Sequence, residues 1–248
     1  FILMQNKIII LKPIKTFNKI LEIEGDKSLS IRWALLASQA YGKSKSINLL
    51  KSEDVLSTLE CLKKLGVKIK FFKNICEING VGLNGYNYKN NITLNARNSG
   101  TLGRLIMGLL VHSKTNIKLI GDRSLSKRDF FRITKPLEGF GAKFKTNFGK
   151  LPIIIKGTNN AKAIRYNETR GSAQCKSAIM LAALNTKGNT IIKAKKSRNH
   201  SELLFKYLNL PIKVIHKKKF DLIKVKGGKT IKPLNYRIPS DESSGAFF

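Results

Sequence analysis

The chain has 248 residues, 42% of them apolar, enough to build a real core as one large domain or two ordinary ones. Its formal charge is +32, from 37 Lys and 10 Arg against 15 acids, but the Lys are spread over the whole chain, which suits attraction of anions better than a nucleic-acid-binding stripe. No apolar run approaches the ~18 residues of a membrane span, the start lacks the order of a signal peptide, and Cys61, Cys76 and Cys175 are an odd number at no metal-like spacing, which points to isolated reduced thiols and a cytosolic setting.

In chain order, residues 7–11 and 20–23 read as strands joined through a turn at Pro13. Gly25-Asp26 precedes a helix over 28–41, and apolar residues at Val55, Leu59, Leu62 and Leu65 keep a helical period over 54–65. Gly66 stands where a C-cap belongs, and a hairpin is expected over 67–72 and 75–79. The pattern then recurs. A second copy reads strand 92–95, helix 100–112, strand 116–120, helix 129–139 and strands 142–146 and 152–156; a third reads strand 163–166, helix 173–184, strand 189–194, helix 200–209 and strands 212–216 and 221–225. The β-rich tetrad of the first copy is placed at Ile47–Leu50. Gly227-Gly228 and Pro233 mark a linker after the last copy. One β-α-β-α-β-β unit is thus written three times, with starts roughly seventy residues apart.

Each copy opens its first helix with the same device. Lys27-Ser28-Leu29-Ser30-Ile31-Arg32, Ser99-Gly100-Thr101-Leu102-Gly103-Arg104 and Ser172-Ala173-Gln174-Cys175-Lys176 put a small polar turn at a helix start and a cation shortly after it. Helix N-termini with nearby cations attract anions. Seven of the ten Arg (32, 97, 104, 123, 128, 170 and 198) lie in or near these segments, and Arg grips phosphate and carboxylate with two hydrogen bonds at once. Taken singly, Lys27-Ser28 reads equally as a plain helix start, Asn98-Ser99-Gly100-Thr101 as an ordinary turn, and Arg128, Gln174 and Arg198 as solvated side chains. There is no P-loop, dinucleotide fingerprint or clustered His/Cys set, so no metal, nucleotide or flavin is expected. His112, His200 and His216 are scattered.

Six segments in order resemble the 5-enolpyruvylshikimate-3-phosphate synthase family: Gly25-Asp26-Lys27-Ser28-Leu29-Ser30-Ile31-Arg32; Asn98-Ser99-Gly100-Thr101 with Arg104; Gly121-Asp122-Arg123-Ser124-Leu125-Ser126-Lys127-Arg128; Ser172-Ala173-Gln174; Arg198-Asn199-His200-Ser201-Glu202; and Pro239-Ser240-Asp241-Glu242-Ser243-Ser244. The Ser-Ala-Gln form is similar to the second of the family's two sequence classes. Asp129 stands in place of the usual Pro, and Ser240 in place of the usual Gly.

The resemblance implies an α/β fold of two similar domains, each of three β-α-β-α-β-β repeats around inward-pointing helices. Residues 1–22 would be a piece of the first, split domain, 23–236 the complete second domain, and 237–248 the return into the first, as a fragment of a longer protein. It implies transfer of the enolpyruvyl group of phosphoenolpyruvate to the 5-hydroxyl of shikimate 3-phosphate, in chorismate and aromatic amino acid biosynthesis. Lys27 would touch both substrates and take part in catalysis. Ser28, Arg32, Ser172, Ala173, Gln174 and Arg198 would hold shikimate 3-phosphate with it. Gly100, Arg128 and Gln174 would join Lys27 on phosphoenolpyruvate. The general-base carboxylate would come from a part of the family's length that this chain does not contain. Glyphosate is the expected inhibitor, no cofactor, nucleic acid or membrane partner is expected, and the full-length protein would be a monomer. The alternatives are UDP-N-acetylglucosamine enolpyruvyl transferase, which expects a working loop Cys, and a basic nucleic-acid-binding repeat protein.

Overall fold

Three helices of this chain have no polar side to show to water. In α1 (Lys27–Ser38) every residue from Ser30 onward is buried, in α6 (Ala173–Asn185) every residue from Cys175 onward, and in α3 (Gly100–Leu109) all but Thr101. A helix apolar on all sides must lie inside a fold. These three are the first helices of the three sequence copies, and they form the centre around which the sheets are arranged. The structure is a computed structural model and describes residues 23–241 together with Thr16 and Ile20. The expected strand at 7–11, part of that at 20–23, and everything from 242 onward lie outside the described residues.

The outer layer consists of three four-stranded sheets. In the second unit, β4 (Thr93–Asn95) runs parallel to β5 (Ile117–Ile120), which pairs antiparallel with β7 (Lys150–Lys156), and β6 (Lys143–Asn147) forms the edge. In the third unit β8 (Arg165–Glu168), β9 (Gly188–Lys195), β11 (Phe220–Gly227) and β10 (Ile212–His216) repeat the same order and directions. Burial alternates along β7 and β9, as one-sided strands require.

The first unit departs from the expected order. Its sheet contains β1 (Tyr41–Ile47), β2 (Lys68–Phe72) and β3 (Ile75–Val81), but the place held by β4 and β8 elsewhere is filled by β12 (Tyr236–Arg237), from the far end of the described chain. Ser46 pairs with Tyr236 and Ile47 with Arg237, in parallel. The stretch expected as a linker therefore leaves the third unit at Gly228, whose N–H donates to Leu184 O, and is bound to the first unit from Ile231 onward. Tyr41 N–H donates to Ile231 O, Leu234 N–H to the buried Ser44 hydroxyl, Trp33 Nε1–H to Leu234 O, and Asp26 N–H to Pro239 O. Such partners let a strand as polar as β1 carry buried serines at 44 and 46.

Other boundaries shift for local reasons. The strand placed at Ile47–Leu50 ends at Ile47, because Asn48 takes a left-handed conformation (φ 62°). The expected helix at 100–112 closes in a 3₁₀ turn, Leu110–His112. The expected helix at 129–139 is α5 (Phe131–Glu138), and a short helix not expected from the sequence, α4 (Arg123–Ser126), precedes it. The remaining helices, α2 (Glu53–Lys64) and α7 (His200–Tyr207), pack against α1. Gly66, past the end of α2, has φ +88°, which a side chain rarely adopts, so the expected cap is where the sequence puts it.

Candidate functional site

Each inner helix starts on a capped turn. The side chains of Asp26, Ser99 and Ser172 accept the N–H groups of Leu29, Leu102 and Cys175 at 2.6, 3.2 and 3.3 Å. Caps satisfy one of the free donors of a helix start and leave the others available. The turn before α6 is set by a buried carboxylate: Glu168 accepts the N–H groups of Arg170 and Gly171 at 3.0 and 2.9 Å, with Gly171 at φ +70°.

Inside each start lies a cation almost removed from water. Arg32, Arg104 and Lys176 are 6%, 5% and 0% exposed. Buried charge is costly unless it is paired or hydrogen-bonded, and the partners these three take join the helix starts to one another.

Arg104 joins α3 to α6. Its Nη1 donates to Gln174 Oε1 at 2.7 Å, Gln174 Nε2 donates back to Thr101 Oγ1 at 3.2 Å, and the guanidinium lies 5.3 Å from the ring centre of Phe130. Burial pushes its pKa down to about 10, with the charges of Arg132 and Arg128 acting the same way and Asp129 against them; it stays cationic at neutral pH. Its Nε, like that of Arg132, is buried without a hydrogen-bond partner. Gly100 lies against this cluster: a Cβ there would stand 3.0 Å from Arg104 Nη1 and 3.1 Å from Arg128 Nη1. Arg128 Nη2 reaches Asn98 Oδ1 at 3.5 Å, and Asn98 Nδ2 is tied to Asp122 Oδ2 at 2.5 Å. The Asp122 carboxyl is held below its ordinary value, first by the N–H of Leu125 against desolvation, and further by Asn98 and the charge of Arg128. Three guanidinium groups thus crowd one helix start with two acids, Asp122 and Asp129, beside them, an excess of positive charge that favours an anion.

Arg32 joins α1 to α7. Its Nε donates to Ser201 Oγ at 2.8 Å and its Nη1 to Ser28 O at 3.0 Å. Ser201 Oγ lies 2.6 Å from Ser177 Oγ on α6, and Lys176 forms a buried ion pair with Glu202 on α7. Burial pushes Arg32 down to about 10, opposed by Asp26 and Glu202. Burial, and after it the charge of Arg32, holds the His200 imidazole below its ordinary value.

Of the residues singled out from sequence, Gly100, Arg128 and Gln174 meet around Arg104, while Ser28, Arg32 and Ala173 are linked through Ser201 and Ser177. Ser172 caps α6. Lys27 is half exposed and pairs with Asp54 at 3.3 Å. Arg198 is exposed and makes no hydrogen bond or ion pair among the described residues. Arg97, grouped with the anion motifs, instead faces Glu53 and Glu60 at 3.4 and 3.2 Å. Sequence reasoning missed Arg132, four residues after Arg128 and on α5, and gave no role to Ser177, Ser201 or Glu202, although the last two lie within a quoted segment. The three thiols are buried, and burial pushes them up to about 11 (Cys61) and about 12 (Cys76, Cys175), so none works as an acid at neutral pH. Among the described residues no His/Cys/Asp/Glu group could hold a metal ion, and no helix is long and apolar enough to cross a membrane.

A family model for EPSP synthase (3-phosphoshikimate 1-carboxyvinyltransferase) matches residues 11–248. The chain belongs to that family. Among similar proteins, the 3-phosphoshikimate 1-carboxyvinyltransferase of Ruthia magnifica is 42% identical over 241 residues, 96% of this chain and 54% of the relative. That of Streptococcus agalactiae is 37% identical over 236 residues, 94% of this chain and 54% of the relative. The EPSP synthase structure from Acinetobacter baumannii superposes with a TM-score of 0.83 at 35% identity, over 92% of this chain and 51% of that one. The chain spans about half the length of the curated relatives it matches. In EPSP synthase terms, the mixed sheets and buried helices described above are the family's α/β fold.

Proposed function

We propose that the full-length protein transfers the enolpyruvyl group of phosphoenolpyruvate to the 5-hydroxyl of shikimate 3-phosphate, with release of phosphate, and that this chain supplies one face of the site. The observation that carries the reading is the joining of helix starts. Gln174 and Arg104 tie α3 to α6, Arg32 and Ser201 tie α1 to α7, and the cations concentrated there outnumber their acids. Two small polyanions are the ligands such a face suits.

In this reading Lys27 exchanges its exposed pairing with Asp54 for contacts to both substrates. Ser28, Arg32, Ser172, Gln174, Arg198 and the backbone of Ala173 hold shikimate 3-phosphate. Gly100, Arg128 and Gln174 hold phosphoenolpyruvate, and Gly100 admits the ligand close to the helix start because it has no Cβ. Residues 23–236 form the complete second domain of three units, and 1–22 and 237–248 belong to the first, split domain, which carries the general-base carboxylate. The chain's own contribution is to bind, orient and stabilise developing charge, which is the larger share of catalysis in many enzymes. Glyphosate competes at the phosphoenolpyruvate place, the protein acts in the cytoplasm as a monomer, and the chemistry needs no cofactor. Nothing in the described residues favours the UDP-N-acetylglucosamine or nucleic-acid alternatives. Phosphate release by the full-length protein, assayed beside calorimetric titration with each substrate, tests the proposal. Turnover demanded by both substrates supports it; absence of shikimate 3-phosphate binding removes it.

A further inference from the structure

The contacts of Arg32 form a hydrogen-bond chain with a fixed direction. Ser177 Oγ lies 2.7 Å from Ala173 O, a carbonyl that can only accept, so the Ser177 proton is committed there. In the 2.6 Å contact between the two hydroxyls Ser201 must therefore be the donor. Its lone pair then receives Nε–H of Arg32 at 2.8 Å. The order is Arg32 to Ser201 to Ser177 to Ala173 O, running from α1 through α7 to the first turn of α6. Ser177 and Ser201 are 2% and 4% exposed, so water does not replace either link cheaply.

The guanidinium is held at two of its five N–H groups. Nε is taken by Ser201 and one Nη1 hydrogen by Ser28 O. The other three N–H groups have no partner among the described residues, and both Nη2 hydrogens are among them. A guanidinium held at Nε and Nη1, with its other N–H groups left over, is fixed in place and keeps charged donors for an anion. Side-chain entropy is then lost on folding and not on binding.

We propose that Ser201, backed by Ser177, is a positioning residue that fixes Arg32 for the anionic substrate held at these helix starts, shikimate 3-phosphate in the reading above, on which this inference rests. Ser201→Ala leaves Nε–H of Arg32 buried without an acceptor and frees the guanidinium to turn. Ser201→Thr keeps the hydroxyl. Ser177→Ala removes the second link and leaves the first.

The test is calorimetric titration of the full-length protein and these three variants with shikimate 3-phosphate, and in parallel with inorganic phosphate, beside thermal melting and separate determination of KM and kcat. The expected result is a five- to twenty-fold weaker binding of shikimate 3-phosphate in Ser201→Ala, with the KM for phosphoenolpyruvate unchanged. A smaller loss is expected in Ser177→Ala, and recovery to within about two-fold in Ser201→Thr. Wild-type affinity in Ser201→Ala overturns the inference, as does a Ser201→Thr variant as weak as the alanine. A wild type that ignores shikimate 3-phosphate but binds phosphate in a Ser201-dependent way removes the substrate assignment and keeps the positioning role. Binding of neither anion overturns both.

Discussion

Gly100→Ala separates the stability of the α3 start from its use as a binding surface. Gly100 is the first residue of α3, behind the Ser99 cap, and its φ lies outside the left-handed region, so alanine fits the backbone. At such a position Gly→Ala narrows the unfolded ensemble and stabilises by ~0.4–1 kcal/mol. The new methyl would meet Arg104 Nη1 at 3.0 Å and Arg128 Nη1 at 3.1 Å, each a few tenths of an ångström too close. Arg104 is held by Gln174 and Phe130 and gives little, whereas Arg128 is exposed and moves away. Misaligning one charge-assisted hydrogen bond costs about 1–2 kcal/mol, or roughly 5–30-fold in affinity. The expected pair of results is an unchanged or higher melting temperature with weaker phosphoenolpyruvate and glyphosate binding in titration. Wild-type affinity for both ligands in a variant that melts normally would refute the steric argument.

Lys27→Ala and Arg128→Ala should each lower kcat/KM of the full-length protein by about two orders of magnitude, because on the proposed reading each loses a charged contact that bound substrate shields from water, while Lys195→Ala, which stays solvated, changes it by less than about five-fold; equal values across the three would sink the site assignment. Glu202→Gln leaves the fully buried Lys176 without its counter-ion and should destabilise by roughly 3–5 kcal/mol in denaturant titration, whereas Lys176→Met with Glu202→Leu should lose far less; equal losses would show that packing, not charge, matters there. For His112 and His200, burial lowers the folded-state value below 6.5, so the unfolded chain takes up protons first as pH falls. Stability should therefore be flat above about pH 7 and fall from about 6.5 downward, more gently in His112→Gln with His200→Gln; a double variant with an unaltered slope over pH 5–7 would assign the acid loss elsewhere.

The internal repeat made much of the architecture legible. Apolar spacing located the inner helices to within a few residues, because a helix apolar on all sides leaves a continuous run in the sequence. The capped helix starts were legible too, since caps and the cations behind them are close neighbours in the chain. Boundaries failed where local conformation overrode pattern. Asn48 turned left-handed and cut short the apolar tetrad, and β1 is a polar strand whose buried Ser44 is satisfied by a residue 190 positions away.

By itself, then, the sequence determined the recurrence of helix and sheet units, the family and the capped helix starts with a cation behind each, all of them properties of contiguous segments. The tertiary structure alone decided three things. It brought β12 into the first sheet across nearly the whole described chain. It turned Arg97 toward Glu53 and Glu60 while collecting Arg128 and Arg132 around Arg104. It also gave Ser201 and Ser177 their part in holding Arg32, a contact 169 residues apart in sequence. A hydroxyl in a sequence carries no sign of what it will face; hydrogen bonds form between groups that packing brings within about 3 Å, and that packing is set by the core as a whole.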